Sequence, residues 1–309
     1  MDCSGANQRV FRILTQAQGA DYEYDRKEVP CSFLNPFDPS LVVSIVPCPS
    51  HGVKNVINNL KQSEAGGTKE FKFDPEAPTF GWNMVREQYS REIKRSTRKV
   101  PRLQKSYVDR DCWTKLGVPP ALEVQSWNAI SEYAEHCQQD TTTPEEKHAL
   151  QQLIKFLTAS YQIYQNGFLS RVPIKNLSSE PLVNIDEGMN FFYQWVSNWP
   201  KLEKKQKVFM AYQTFEMLRL SVCGMKSLTQ QFIKFCSGNP SYFIIPHRVN
   251  GSAVETVFAQ VRQKASSGKP TGASYGPCIQ RVRATRNDTL IKTPRLRRDQ
   301  YRNCILNLY

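Results

Sequence analysis

From about Trp82 onward, apolar residues recur at the three- and four-residue spacing of amphipathic helices, and this period holds through most of the chain. Ala121 to Cys137 places Leu122, Val124, Trp127, Ile130 and Tyr133 at mostly helical intervals behind the start signal Pro119-Pro120. Pro144 to Tyr164 opens with proline and two glutamates, which suit a helix N-terminus, and then repeats Leu150, Leu153, Ile154, Leu157 and Tyr161. Ile185 to Trp199 and Val208 to Cys236 follow the same pattern. The first 52 residues read differently. Val10 to Thr15 predicts a short helix, and Leu41-Val42-Val43-Ser44-Ile45-Val46 is a β-branched run of buried-strand type ended by Pro47. Gln62 to Pro78, with its Gly-Gly, charges and prolines, predicts a loop. Near the C-terminus, Val254, Val257, Phe258 and Val261 form one more helical stripe behind the capping residues Asn250, Gly251 and Ser252. The pattern therefore predicts an α+β chain, mostly helical, in which an incomplete sheet stands beside a large helical region.

Composition narrows the class. At 309 residues the chain is long enough to bury a sizeable core, and 40% hydrophobic with 11% aromatic residues argues against disorder. No run approaches the roughly 18 apolar residues of a membrane helix, and Met1 to Leu14 lacks the pattern of a signal peptide. The nine cysteines form no C-x-x-C pair and no zinc spacing, so they read as reduced thiols of a nuclear or cytoplasmic protein.

The net charge of +13 is unevenly placed. Arg91 to Lys105 holds seven basic residues (Arg91, Lys94, Arg95, Arg98, Lys99, Arg102, Lys105) against one acid, and Arg281 to Tyr309 holds eight against two. Such runs are commonly solvated surface, but they also suit a phosphate backbone, where they supply affinity without sequence choice.

One acid stands out. Glu255 lies in the first turn of the C-terminal stripe, where a carboxylate complements the helix dipole whatever else it does. Asn250, Ser252, Glu255, Phe258 and Arg262 resemble the Asn-x-Asp-x-x-Glu-x-x-Phe-x-x-x-Arg signature of P-element-type transposases, a family that often carries an N-terminal THAP zinc domain. Gly268-Lys269-Pro270-Thr271 and Tyr275-Gly276-Pro277 follow at about the family's distance. Upstream, Asn35-Pro36, the strand Val42 to Val46 and Pro49-Ser50-His51-Gly52-Val53-Lys54-Asn55 resemble the family's Asn-Pro, apolar strand and Asp-x-Pro-His-Leu-x-Lys-x-x-Arg-Asn. Asp2-Cys3-Ser4-Gly5-Ala6-Asn7 is similar to its Asp-Gly-x-x-x-Asn turn. Pro101-Arg102-Leu103 and Trp113-Thr114-Lys115-Leu116-Gly117-Val118, with Ala121 and Ser126, are similar to the Pro-x-Leu, Trp-x-Lys-x-x-Val and Ala-x-x-x-x-Ser of its GTP-binding insertion.

The resemblance implies an RNase H-like fold split by a large α-helical insertion: residues 1–52 as a partial RNase H-like region, 53–246 as the insertion, and 247–309 as the last RNase H-like helix with a basic tail. It implies DDE chemistry, in which three carboxylates hold two Mg²⁺ ions for DNA strand transfer. Asp2 and Glu255 are the implied metal-holding catalytic acids, and the family's first acid would lie ahead of Met1. For GTP the implied contacts are Lys115, Asn166 and Ser252; for DNA, Arg95, Arg98, Lys99, Arg297 and Arg298.

This sequence departs from the pattern at several positions. Cys48 replaces the aspartate of Asp-x-Pro-His, and a thiol is a poor ligand for Mg²⁺. Gly52 replaces the following leucine. Ser252 and Asn166 stand where the family has aspartates, and a serine hydroxyl does not present a guanine edge with the paired acceptors of a carboxylate. There is no G-x-x-x-x-G-K-[ST], so any GTP site would be of the insertion type.

Three readings follow. The first is a catalytically incomplete, DNA-binding or domesticated transposase fragment, with DNA or a transposase-like oligomer as partner and doubtful Mg²⁺ and GTP binding. The second is an active recombinase whose N-terminal region lies upstream. The third is a helical interaction scaffold with no nucleic-acid role.

Overall fold

A computed structural model describes residues 5–16, 27–109, 117–199, 207–239, 241–251, 260–261, 263–264 and 277–282. In chain order the elements are α1 (Gly5–Leu14), β1 (Ser32–Asn35), β2 (Asp38–Ser44), α2 (Pro49–Lys61), α3 (Trp82–Glu92), α4 (Lys105–Val108), α5 (Val118–Val124), α6 (Trp127–Cys137) and α7 (Pro144–Tyr161). A π-helical run (Gln162–Phe168), α8 (Glu180–Ser197), α9 (Tyr212–Phe235) and a 3-10 turn (Pro246–Val249) follow. Residues 1–250 belong to one compact unit and 251–309 to a second. In the second unit Val261, the last residue of the C-terminal stripe, is buried with Cys278 and Val282.

The first unit is built on helices because their apolar stripes share one core. Trp195 of α8 sits at its centre, with the rings of Phe71, Phe80, Phe156, Phe192 and Phe209 at 4.7 to 6.5 Å. Its indole N–H donates to the Lys72 carbonyl at 2.6 Å, which meets the requirement that a buried indole find an acceptor. Two glycines let α8 approach closely: a Cβ on Gly167 would lie 2.4 Å from Ile185 Cγ1, and one on Gly188 would lie 2.6 Å from the Ala159 carbonyl oxygen. The 62–78 segment is the loop the sequence predicts. It is pinned by backbone bridges between Phe71 and Phe80 and between Ser63 and Lys69.

Two expectations change. The single helix expected over Ala121 to Cys137 is two helices, because Ser126 begins a new one: its hydroxyl accepts the Ala129 N–H at 3.3 Å. Trp127, placed by its spacing on a buried stripe, is therefore a first-turn residue and is 58% exposed. The apolar run at Leu41 to Val46 is not a buried strand. β2 starts at Asp38 and pairs antiparallel with β1 as a two-stranded hairpin, so Leu41 is exposed and Val42 and Val43 are half-buried. The described sheet consists of this hairpin alone. Its inner face, with Ile45, joins Phe11 of α1 and Met217 and Leu220 of α9 in a second small cluster.

α1 is held to α9 by charge as well. Arg12 donates from Nη2 to both Glu216 oxygens, at 2.7 and 2.8 Å, and the Glu216 carboxylate is almost fully buried. Such a forked pair is favoured by the planar geometry of both groups.

Candidate nucleic-acid and nucleotide sites

The basic run of residues 91–105 leaves the end of α3 and returns across α6. Arg95 lies 2.5 Å from Glu92 Oε1 and 2.7 Å from Glu132 Oε1, and both carboxylates are buried. The Glu132 hydrogen bond, more than any other contact, holds the Arg95 guanidinium above its ordinary pKa. Glu92 also accepts the Val100 N–H at 2.7 Å, closing the turn that carries the run. Lys99 is paired with Glu135. Arg98 donates to the Leu103 carbonyl and stands 5.8 Å from the Tyr89 ring centre. Arg95 and Arg98 are thus tied into the protein and Lys99 is held in an exposed pair, whereas Lys94, Arg102 and Lys105 are exposed and, among the described residues, in no ion pair. Arg297 and Arg298 lie outside the described residues.

The signal for this network was present in the sequence. Glu92 continues the stripe Val85 and Gln88 at i+7 and i+4, and Glu132 sits between Ala129 and Tyr133 on the core face of α6. A carboxylate on a buried stripe requires a cation, and Arg95 is three residues from Glu92.

Of the three expected nucleotide contacts, Asn166 is described and Lys115 and Ser252 are not. Asn166 is half-buried in the π-helical run, a geometry frequent at functional sites. The neighbouring Gln165 Nε2 donates to the Leu122 carbonyl of α5 at 3.2 Å. The end of the run is bound to the 3-10 turn: the His247 N–H donates to the Ser170 carbonyl at 3.0 Å, and the His247 ring meets the Asn250 amide at 3.2 Å. His247 thus packs and fixes a turn. Around the start of α6, a cavity of about 440 Å³ is lined by Pro101, Arg102, Glu123, Ser126, Trp127 and Asn128. Trp127 lines it with an exposed indole and Arg102 with a cation, while burial pushes the Glu123 carboxyl up. The Ser126 hydroxyl caps α6.

The acids Asp2 and Glu255 lie outside the described residues. Among the described residues no group of three His, Cys, Asp or Glu side chains could hold a metal ion. Cys48, at the position the family gives to aspartate, is buried at the start of α2 and joins the core. A thiol at that position is a poor ligand for Mg²⁺. Gly52 has a steric reason: a Cβ there would lie 2.7 Å from the Tyr164 hydroxyl, so the family's leucine would displace that ring.

A larger cleft of about 600 Å³, for which no sequence pattern was a signal, lies between α8, α9 and the approach to β1. Lys226 pairs with Asp186 at 2.7 Å, and the Tyr193 hydroxyl donates to the Lys27 carbonyl at 3.1 Å. Two thiols line it. Burial pushes Cys31 up to about 11 and raises Cys223 as well, so both stay protonated near neutral pH and are poor nucleophiles.

No protein-family model and no curated protein matches this sequence. Among solved structures, the chain is similar to the Drosophila P element transposase strand transfer complex, with a TM-score of 0.64 at 14% identity over 90% of this chain. It spans 57% of that chain's length. At this identity the likeness is one of fold, and the fold is transposase-like. No described helix is long and apolar enough to cross a membrane.

Proposed function

We propose that this chain is a P-element transposase-like protein that binds DNA through its basic surface and lacks a complete site for strand transfer. The fold likeness over 90% of the chain carries this reading. The division into an RNase H-like region at 1–52 and 247–309 and a helical insertion at 53–246 belongs to the same proposal. So do a nuclear location, descent from a domesticated element and a transposase-like oligomer. Asp2 and Glu255 would be two of the carboxylates that strand transfer uses, and Cys48, a thiol where the family has an aspartate, withdraws a neighbouring one.

Within the basic run the exposed Lys94, Arg102 and Lys105 are the phosphate contacts, since Arg95, Arg98 and Lys99 already have partners. Duplex affinity should therefore fall with salt, with a log-log slope of roughly −0.9 per phosphate neutralised. Replacing Lys94, Arg102 and Lys105 together by alanine is expected to flatten that slope by about 2 to 3 and to weaken binding alike on unrelated sequences. An unchanged slope with intact folding would leave the run as solvated surface and favour the scaffold reading. Incubation of nicked and intact duplex with Mg²⁺ separates the remaining alternative. Robust cleavage that disappears in Glu255→Gln would establish an active recombinase.

GTP binding is expected to be weak. The exposed indole of Trp127 and the cation Arg102 suit a nucleotide, but asparagine and serine replace two carboxylates of the family's pattern. Calorimetry should find no submillimolar, guanine-specific affinity; such affinity would show that Asn166 and Ser252 are tolerated in the site.

A further inference from the structure

Two stretches of the sequence contain no acid, 147–179 and 217–254, and the fold joins them. Ile174 and Ile244 form an antiparallel bridge, with N–H to carbonyl distances of 2.8 and 2.9 Å in the two directions. Ile174 is buried and Ile244 half-buried. Lys175 and Phe243 flank the bridge on its two segments, each next to a bridged isoleucine, and Arg171 lies four residues before Lys175, ahead of a bend at Val172. Both cations are exposed, and among the described residues neither is in an ion pair. Phe243 is 48% exposed and its neighbour Tyr242 46%. Lys234 and Phe235, at the end of α9 and nine residues before Phe243 in the same acid-free stretch, are exposed as well, Phe235 at 74%.

Exposed aromatic rings set beside unpaired cations, with no acid in either segment, are a poor match for a protein core. They are what unstacked bases on a phosphate strand require. We infer that the Arg171–Lys175 and Tyr242–Phe243 segments form a binding surface for single-stranded DNA, with Phe243 stacking on a base and Arg171 and Lys175 facing its phosphates. This surface is separate from the basic run and rests on the nucleic-acid reading above. An unpaired strand is the committed occupant because a ring standing on the surface stacks only on a base whose faces are free, which a duplex does not offer.

The test measures fluorescence anisotropy of the full chain with a labelled oligo(dT) and, in parallel, with a duplex of equal length. Phe243→Ala is expected to weaken oligo(dT) binding about tenfold, near the low end for one stacked base, and to change duplex binding less than twofold. Phe243→Tyr should restore it, which controls for folding. Arg171→Ala and Lys175→Ala should each reduce the salt slope on oligo(dT) by about 0.7. Equal affinities of wild type and Phe243→Ala for oligo(dT), or equal losses on both DNAs, would overturn the inference. Because the duplex arm reads the basic run, loss of duplex binding in the Lys94, Arg102 and Lys105 variant, alongside an unaffected Phe243→Ala, would sink this inference alone.

Discussion

Gly224→Ala is expected to be strongly destabilising, as is Gly81→Ala, whose Cβ would likewise lie 1.8 Å from a backbone oxygen, that of Ser63. Alanine is the better helix former by about 1 kcal/mol, so on an open helix face the substitution would stabilise. Here a Cβ would lie 1.8 Å from the Ile45 carbonyl oxygen and 2.8 Å from its carbon, both backbone atoms that no rotamer change can move. Either α9 or the segment after β2 must shift by more than an ångström. The cost should exceed the usual overpacking range and reach about 3 kcal/mol or more. For a chain of this size that lowers the melting temperature by about 6 °C, measured by calorimetry or circular dichroism. Gly66→Ala is the control. Its φ of +74° strains an alanine, but nothing stands within 4 Å, and the loss should be about 1 kcal/mol. Equal losses at the two sites would show that the approach of α9 to Ile45 is looser than described.

The second large effect concerns Arg95. As a phosphate contact it could be removed with little change in stability, since exposed charge changes usually stay within about 0.5 kcal/mol. Its position between Glu92 and Glu132 predicts otherwise. Truncation to alanine leaves two buried carboxylates without their shared cation. Because Arg95 is 27% exposed and water can partly replace it, the loss should be roughly 2–3 kcal/mol, below the 3–5 typical of a fully buried pair. The triple variant Arg95→Met, Glu92→Gln, Glu132→Gln should recover much of that loss, because the uncompensated charges are gone. Thermal melts of the single and triple variants decide the matter. A neutral Arg95→Ala would return this side chain to the candidate DNA contacts.

Legibility in the sequence followed the scale of the interaction. The helical period of α7, α8 and α9 could be read directly, because a stripe of Leu, Ile and Phe is buried wherever the helix packs. The split between α5 and α6 was harder to see. Ser126 is a common capping residue, but nothing in the spacing says that its hydroxyl ends one helix and begins another. β2 was misplaced for a related reason: Val42 to Val46 reads as a fully buried strand, and only the pairing with Ser32 to Asn35 shows that one side of the hairpin is open. For the site, residue types were visible and partners were not. A run of seven cations in fifteen residues looks uniform, yet tertiary contacts divide it into side chains that neutralise buried acids and side chains left to solvent. The joining of the Arg171–Lys175 and Tyr242–Phe243 segments had no local signal, because 69 residues of sequence separate Ile174 from the Ile244 it pairs with.

The π-helical run at Gln162–Phe168 decides where chain length can vary in this molecule. Its wider turns hold one more residue than α geometry would place in the same rise. Deleting one residue there would permit an uninterrupted α-helix, with a better backbone ladder than the one it replaces. A π turn and an α turn each close one full revolution, so the residues after such a deletion would keep nearly their direction about the axis, with Gly167 still beneath Ile185 and Ser170 still toward the His247 N–H. Within α7 no such allowance exists, and a one-residue deletion there would turn everything after it by about 100°. Among proteins that keep the turn at Pro246–Val249, differences of one residue in length should therefore fall in the π-helical run and not in α7.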